Sequence, residues 1–550
     1  MPSHVCGVTD VPLLDITLGA FLDQAARLHG DSEALVCPAQ GRRWSYRTLQ
    51  NEVDRVARGL IALGMNKGDR IGIWSPNRAE WVLTQLAAAR LGLVLVTLNP
   101  AYRELEALHA LQLSGCRAVV APQAHKSSHY HEMLRRLLAG PQGNRLPTLE
   151  WVIALDGPRD EHWIDWEGLL AAGEAALPRA VLDAMVDQHP DEPINIQFTS
   201  GTTGAPKGAT LSHRNILNNG RFVGQTLRLG PADRLCLCVP LYHCFGLVMG
   251  VLGAFTSGAT VVLAGEGFDA KVTLQCVEDE RCTALYGVPT MFVAMLEEQQ
   301  RVPRNVQTLR TGIMAGAPCP EAVMREVIER LSMREVTICY GMTETSPVSF
   351  QSQVDDPLSL RVQTVGRVHP HVEVKIVDPQ GNVVPRGVTG ELLTRGYSVM
   401  LGYWNDEIRT REAIDADGWM HTGDLAIIDD EGYARIVGRL KDMLIRGGEN
   451  IYPREIEEWL FQHEAVAEAQ VFGVPDSRWG EEVCAWIRLR PGSDLSEDSL
   501  RQWCRQHMAH FKVPRYIEFV DEFPMTVTGK VQKHLMRQAM AARFPSESAA

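Results

Sequence analysis

Between residues 17 and 121, short β-rich runs alternate with stretches at helical spacing, and this alternation limits the fold more than any other feature. Tyr46, Leu49, Val53, Val56, Leu60 and Ile61 recur at a helical period. Residues 70–74 then read as a strand, 79–91 as a helix, and 93–98 as a strand closed by Asn99-Pro100. Residues 105–113 read as a helix and 118–120 as a strand. Strands separated by crossover helices imply parallel βαβ units.

The pattern returns later. Residues 309–314 read as a strand that ends in the small-residue turn Ala315-Gly316-Ala317. Pro318 and Pro320 open a helix with Val323, Val327, Ile328 and Leu331 on one face, and 336–340 is the next strand. The chain therefore has two doubly wound regions. From about 365 to 437 the helical signal fades. Val372, Val374 and Ile376 alternate with charged residues, turns fall at 379–381 and 385–387, and a small β-barrel is expected. After 438–442, Pro453 starts a helix, Ser496 caps another, and strands are expected around 471–474, 483–489 and 516–520. The expected fold class is α/β. A large N-terminal domain (1–438) combines two doubly wound αβ subdomains with the small barrel. A joint at 439–442 leads to a small α+β domain (443–550).

Composition excludes other classes. With 550 residues, 45% hydrophobic and 22% charged, the chain is neither disordered nor fibrous. A net charge of -13 argues against nucleic acid as a partner, but not against a small polyanion held in a local basic site. The 12 cysteines contain no C-x-x-C and read as reduced core thiols. The first residues lack the basic and apolar regions of a signal peptide, so a cytoplasmic location is expected. Residues 235–265 contain no Asp, Glu, Lys or Arg and meet the crude length test for a membrane span. Pro240, the glycines and the turn at 256–258 point instead to a strand, a loop, a buried helix and a second strand. No integral membrane segment is expected.

The sharpest local feature is Thr199-Ser200-Gly201-Thr202-Thr203-Gly204-Ala205-Pro206-Lys207-Gly208, directly after the alternating Ile194, Ile196 and Phe198. Glycines let backbone N–H groups crowd an anion, hydroxyls donate to phosphate oxygens, and Lys207 supplies charge. It is not a Walker A loop, because Pro206 stands five residues after Gly201, and the next helix starts later, with Ser212 as its N-cap.

This loop resembles the signature of the adenylate-forming superfamily, which includes acyl-CoA synthetases, luciferases and peptide-synthetase adenylation domains. Five further segments resemble its other motifs in order: Tyr340-Gly341-Met342-Thr343-Glu344-Thr345, Gly390-Glu391-Leu392, Trp419-Met420-His421-Thr422-Gly423-Asp424, Gly438-Arg439-Leu440-Lys441-Asp442 and Pro524-Met525-Thr526-Val527-Thr528-Gly529-Lys530. The likeness spans essentially the whole chain. It is greatest to medium-chain fatty acyl-CoA synthetases, through residues 241–246 and 446–453.

The resemblance implies two steps. A carboxylate attacks the α-phosphorus of ATP to give acyl-AMP and pyrophosphate, and coenzyme A then displaces AMP. It assigns ATP to Thr199, Ser200, Gly201, Thr202, Thr203, Gly204, Lys207, Gly316, Ala317, Pro318, Tyr340, Gly341, Asp424 and Arg439. Within that set Tyr340 lies against adenine, the 316–318 turn approaches the adenine edge, and Asp424 takes the ribose hydroxyls. Arg439 reaches the ribose or a phosphate. Glu344 is the Mg2+ ligand and Thr343 bonds the α-phosphate. Lys530 sits between the acyl carboxylate and the α-phosphate. Lys441 is the hinge about which a mobile C-terminal domain rotates between the half-reactions. Gly447 and Gly448 line the pantetheine tunnel. His243 lies at the acyl pocket, although taken alone it reads as a core histidine with a satisfied ring.

The function expected is an ATP-dependent fatty acid:CoA ligase, with medium-chain acids as substrates and Mg2+ as cofactor. The alternative is an adenylation enzyme that loads an aryl or amino acid onto a carrier protein, for which Phe268-Asp269-Ala270 offers a candidate amino-group ligand. Asp269 also reads as the N-cap of the following helix. A scaffolding protein would have lost Lys207, Glu344, Asp424 or Lys530, and all are present. A luciferase-like oxygenase shares the first step. Acid chain length and oligomeric state are left open, a homodimer being the commonest default.

Overall fold

The computed structural model describes the chain except residues 140–142, 158–159, 161–162, 175–180, 182, 185–186, 200–205, 318, 447–448, 477–478, 526–530, 542 and 544–550. The described residues form two compact units. One comprises Val5–Val374 and Thr394–Met420. The other comprises Met1–His4, Lys375–Leu393 and His421–Ala550.

The first unit contains two large sheets. One has eight strands in the order Gly402–Tyr403, Lys207–Ser212, Pro193–Thr199, Val94–Thr97, Arg70–Ile73, Ala118–Ala121, Trp151–Ala154 and Trp163–Asp165. From Pro193–Thr199 onward the strands are parallel, while the first two pair antiparallel. The other has nine strands: Arg367–Val368, Val348–Gln351, Glu335–Gly341, Thr311–Ala315, Ala284–Gly287, Arg234–Leu237, Thr260–Leu263, Glu33–Cys37 and Arg42–Ser45. Its six strands from Glu335–Gly341 to Glu33–Cys37 are parallel. The two doubly wound regions are thus present, but they interleave. Glu33–Cys37 pairs with the adjacent Arg42–Ser45 on one side, but its other neighbour is Thr260–Leu263, more than two hundred residues on.

The helix Ala79–Leu91 is buried along all its length except Glu80, which is why its sequence has no polar face. The uncharged stretch folds as expected into the strand Arg234–Leu237, the buried helical segments Phe245–Leu252 and Gly253–Thr256, and the strand Thr260–Leu263. No helix among the described residues is long and apolar enough to cross a membrane. Asp269 is an N-cap, its Oδ1 accepting the Val272 N–H at 2.9 Å.

The segment expected as a small barrel is a five-stranded sheet in the order His4–Cys6, Val372–Val377, Gly390–Gly396, Met420–Ile428 and Ala434–Arg439. No pairing closes its two end strands among the described residues. Beyond it lies an α+β layer. Glu449–Ile451, Leu444–Arg446, Gly480–Leu489 and Val466–Asp476 are joined by Tyr516–Phe519, which runs parallel to Gly480–Leu489. The helices Pro453–Leu460 and Glu497–His507 supply apolar residues to its core, with Pro at the first turn of one and the Ser496 cap on the other.

Candidate active site

The strands Pro193–Thr199 and Lys207–Ser212 are the two stems of the loop singled out in the sequence, with Thr199 opposite Lys207. Ser200, Gly201, Thr202, Thr203 and Gly204 lie outside the described residues. Ser212 caps the helix His213–Thr226, its Oγ accepting the Asn215 N–H at 3.1 Å. The free edge of Lys207–Ser212 is taken by Gly402–Tyr403, with Ala209 opposite Tyr403. This pairing puts Lys207 Nζ 4.6 Å from the Tyr403 ring centroid, within cation–π range.

Glu344 sits in the single 3-10 turn Thr343–Thr345 that follows the strand Glu335–Gly341. It is 6% exposed, so its carboxylate needs polar partners. The Tyr403 hydroxyl donates to Oε1 at 2.9 Å, and the Thr199 hydroxyl approaches the same oxygen at 3.4 Å. The Met400 N–H holds the Glu344 carbonyl at 2.9 Å. Burial, and then the charge of Glu344, push the Tyr403 phenol above its ordinary pKa, which keeps it a donor at neutral pH. Neither hydroxyl engages Oε2. A buried carboxylate that two hydroxyls approach through one oxygen suits a hard cation such as Mg2+, which prefers one or two carboxylates alongside substrate phosphates. Thr343, the neighbour in the turn, is also buried.

The residues expected on the adenine side lie at the carboxyl ends of two adjacent parallel strands, Thr311–Ala315 and Glu335–Gly341, where ligands bind in open α/β sheets. Gly316 has φ +90° and, like Ala317, is exposed. Pro318 lies outside the described residues. Tyr340 is half-buried, its ring 6.1 Å from that of Phe350 and tilted by 60°. Gly341 must be glycine, since a Cβ there would stand 1.7 Å from the Pro347 carbonyl oxygen.

His243 is exposed, so the reading of a core histidine fails. Its Nδ1 accepts the Phe245 N–H at 3.1 Å, which puts the ring proton on Nε2. Phe245 stacks on Tyr286 with centroids 5.8 Å apart, and the Cys244 thiol donates to Gln197 Oε1 at 3.1 Å. Sequence reasoning did not single out Tyr403. Its only local signal was a Gly-Tyr-Trp run with no spacing relation to Glu344.

In the other unit, Asp424 and Arg439 are register partners on Met420–Ile428 and Ala434–Arg439, with Arg439 Nε 3.1 Å from Asp424 Oδ1. Asp424 is buried, whereas Arg439 is part-exposed. Two motifs that are thirty residues apart meet here. Glu391 accepts the Gly423 N–H at 3.3 Å and contacts His421 Nδ1 at 3.2 Å, while the Thr422 hydroxyl donates to the Leu392 carbonyl at 2.7 Å. The Thr422 oxygen also accepts the Asp424 N–H at 3.1 Å, fixing the backbone that presents the Asp424 carboxylate. Lys441 is exposed in a turn whose Asp442 pairs with Arg537 at 3.1 Å. Gly447, Gly448 and Lys530 lie outside the described residues.

Residues 22–404 match the family model for AMP-binding enzymes, and residues 455–530 match that for the AMP-binding enzyme C-terminal domain. The chain is 45% identical over 98% of its length to a zebrafish (Danio rerio) protein named medium-chain acyl-CoA ligase ACSF2, mitochondrial, and spans 90% of that relative. It is 44% identical over 97% of its length to the putative acyl-CoA synthetase YngI of Bacillus subtilis, of which it spans 98%. The ATP-bound crystal structure of MatB from Rhodopseudomonas palustris superposes with a TM-score of 0.84 at 30% identity, covering 96% of this chain and 100% of that one. On the strength of these matches and of the motifs that carry them, the chain belongs to the family of AMP-binding, adenylate-forming enzymes.

Proposed function

We propose that this protein is an AMP-forming fatty acid:CoA ligase that activates medium-chain acids as acyl-adenylates and passes the acyl group to coenzyme A. The observation that carries the reading is the buried Glu344 carboxylate held by Tyr403 and Thr199 beside the Lys207 stem, in a chain 45% identical along 98% of its length to a medium-chain acyl-CoA ligase.

The chemistry brings one anion against another, so charge must be screened and the geometry fixed in advance. Lys207 and the loop before it hold the phosphates. Gly316, Ala317, Tyr340 and Gly341 form the adenine side, and Asp424 with Arg439 takes the ribose. Thr343 bonds the α-phosphate, and His243 lies on the acyl side. Mg2+ held by Glu344 would neutralise charge on the phosphates of ATP. Lys530 brings a cation to the acyl carboxylate and α-phosphate for the first step. Rotation of the C-terminal domain (443–550) about Lys441 then withdraws it and presents Gly447 and Gly448 to the thiol. We place the enzyme in the cytoplasm, as a homodimer, with no nucleic-acid partner.

Loading of an amino acid onto a carrier has less support, because the Asp269 carboxylate that would face the amino group caps a helix. Pyrophosphate exchange with magnesium, ATP and a panel of amino acids, aryl acids and fatty acids of roughly two to eighteen carbons tests the proposal. The expected result is exchange that peaks with decanoate-like acids and thioester formation on adding coenzyme A. Exchange with amino acids alone would overturn it.

A further inference from the structure

His109, on the helix Glu104–Ser114, donates from Nε2 to the Pro206 carbonyl at 2.9 Å. The acceptor is a carbonyl, so Nε2 carries the proton. The ring also meets Phe198 edge to face, with centroids 6.3 Å apart at 67°. Phe198 lies on the strand that enters the phosphate-loop hairpin, and Pro206 immediately precedes the strand that leaves it. One side chain thus touches both stems of the hairpin.

The sequence shows why such a tether matters. Pro206 has no N–H, and the ladder between the stems begins only at Thr199 and Lys207. The backbone handle left at Pro206 is its carbonyl, and His109 takes it. The next residue is Lys207, whose ammonium lies over the Tyr403 ring, and Tyr403 in turn holds Glu344. The same helix grips this region a second time, since Asn405 Nδ2 donates to the Leu113 carbonyl at 3.3 Å, satisfying an otherwise orphaned group at the helix end. The edge-to-face contact with Phe198 fixes the ring plane and so aims the Nε2–H.

We propose that His109 is a positioning residue for the nucleotide: by fixing the Pro206 carbonyl it sets the place of Lys207 before ATP arrives. This rests on the reading of the hairpin as the ATP-phosphate site. The helix Glu104–Ser114 would then act as a fixed wall for the hairpin, and the bond would appear in ATP affinity rather than in turnover at saturation.

Three variants test it. His109→Phe keeps the ring against Phe198 but removes the donor. His109→Gln offers an amide N–H close to the position of Nε2, and His109→Asn offers one that is too short to reach. The readouts are the Kd for ATP with Mg2+ by calorimetry, KM for ATP and kcat in pyrophosphate exchange with decanoate, and Tm. In H109F and H109N, Kd and KM for ATP are expected to rise roughly 5- to 20-fold with kcat within about 2-fold, and H109Q is expected to recover to within about 3-fold of the wild type. Tm should move little in all three. Wild-type ATP affinity in H109F or H109N, or an H109Q as weak as H109F, would overturn the proposal, and the Gln and Asn variants decide it even if H109F does not fold. A wild-type protein that binds ATP but exchanges no pyrophosphate would overturn the ligase reading while the ATP affinities still judged His109. A wild type that binds no ATP would overturn both.

Discussion

The Tyr403 hydroxyl donates to Glu344 Oε1 at 2.9 Å across 59 residues of sequence. The bond joins the edge strand Gly402–Tyr403 to the turn that carries the carboxylate, and the same phenol ring lies under the Lys207 ammonium. One aromatic residue therefore positions both the cation and the anion of the candidate phosphate site.

Removing that hydroxyl should loosen Glu344 without discharging it. A hydrogen bond to a charged group contributes about 1.5–3 kcal/mol, part of which water recovers. Tyr403→Phe should raise the KM for MgATP about 3- to 10-fold. Glu344→Gln should raise the magnesium concentration for half-maximal exchange by roughly 10-fold or more. Magnesium titrations of pyrophosphate exchange measure both, and an unchanged requirement in Glu344→Gln would remove this carboxylate from the metal.

Lys530 and Lys441 should separate the half-reactions. Lys530→Ala should lower pyrophosphate exchange roughly 100-fold or more, with ATP binding nearly intact, because in the proposed mechanism its charge acts as the transition state forms. Lys441→Pro should leave exchange within a few-fold and block thioester formation, because it restricts the backbone at the joint. Parallel exchange and thioester assays decide the point.

Asp424 should act at the nucleotide. Asp424→Ala removes the acceptor that the Thr422 and Arg439 contacts hold in place, and should weaken ATP binding about 10-fold or more. Asp424→Asn, which keeps one acceptor oxygen, should lose less. Calorimetric ATP titration of the two variants gives the ordering.

Acid should destabilise the first unit through His213. Its Nδ1 accepts the Leu18 N–H at 3.0 Å, and burial pushes its pKa down to about 4. The unfolded imidazole titrates near 6.5, so on acidification the unfolded state takes up the proton first. The contribution is fully present above about 6.5, falls as pH drops toward 4, and is gone below that. Its size is at most on the order of 3 kcal/mol. Tm measured from pH 7.5 to 4.5 should fall less steeply in His213→Gln than in the wild type.

The sequence by itself determined what is local. The two periodicities marked strands and helices, because side-chain direction repeats every two or every 3.6 residues whatever the partner. Ser212, Asp269, Pro453 and Ser496 announced helix starts because a cap bonds to residues only a few positions away. The site motifs were legible for the same reason: Thr199 to Lys207, the run from Tyr340 to Glu344, and the segment ending in Asp424 each place their chemistry within a few residues. Tertiary structure alone decided which strands pair and which motifs meet. Glu33–Cys37 carries no mark of its partner Thr260–Leu263, because parallel pairing uses backbone groups that every residue has. Nothing near Tyr403 names Glu344, and nothing near His109 names Pro206. These contacts arise where strand ends and a helix wall converge, and convergence depends on how whole layers pack, which no short stretch of residues encodes.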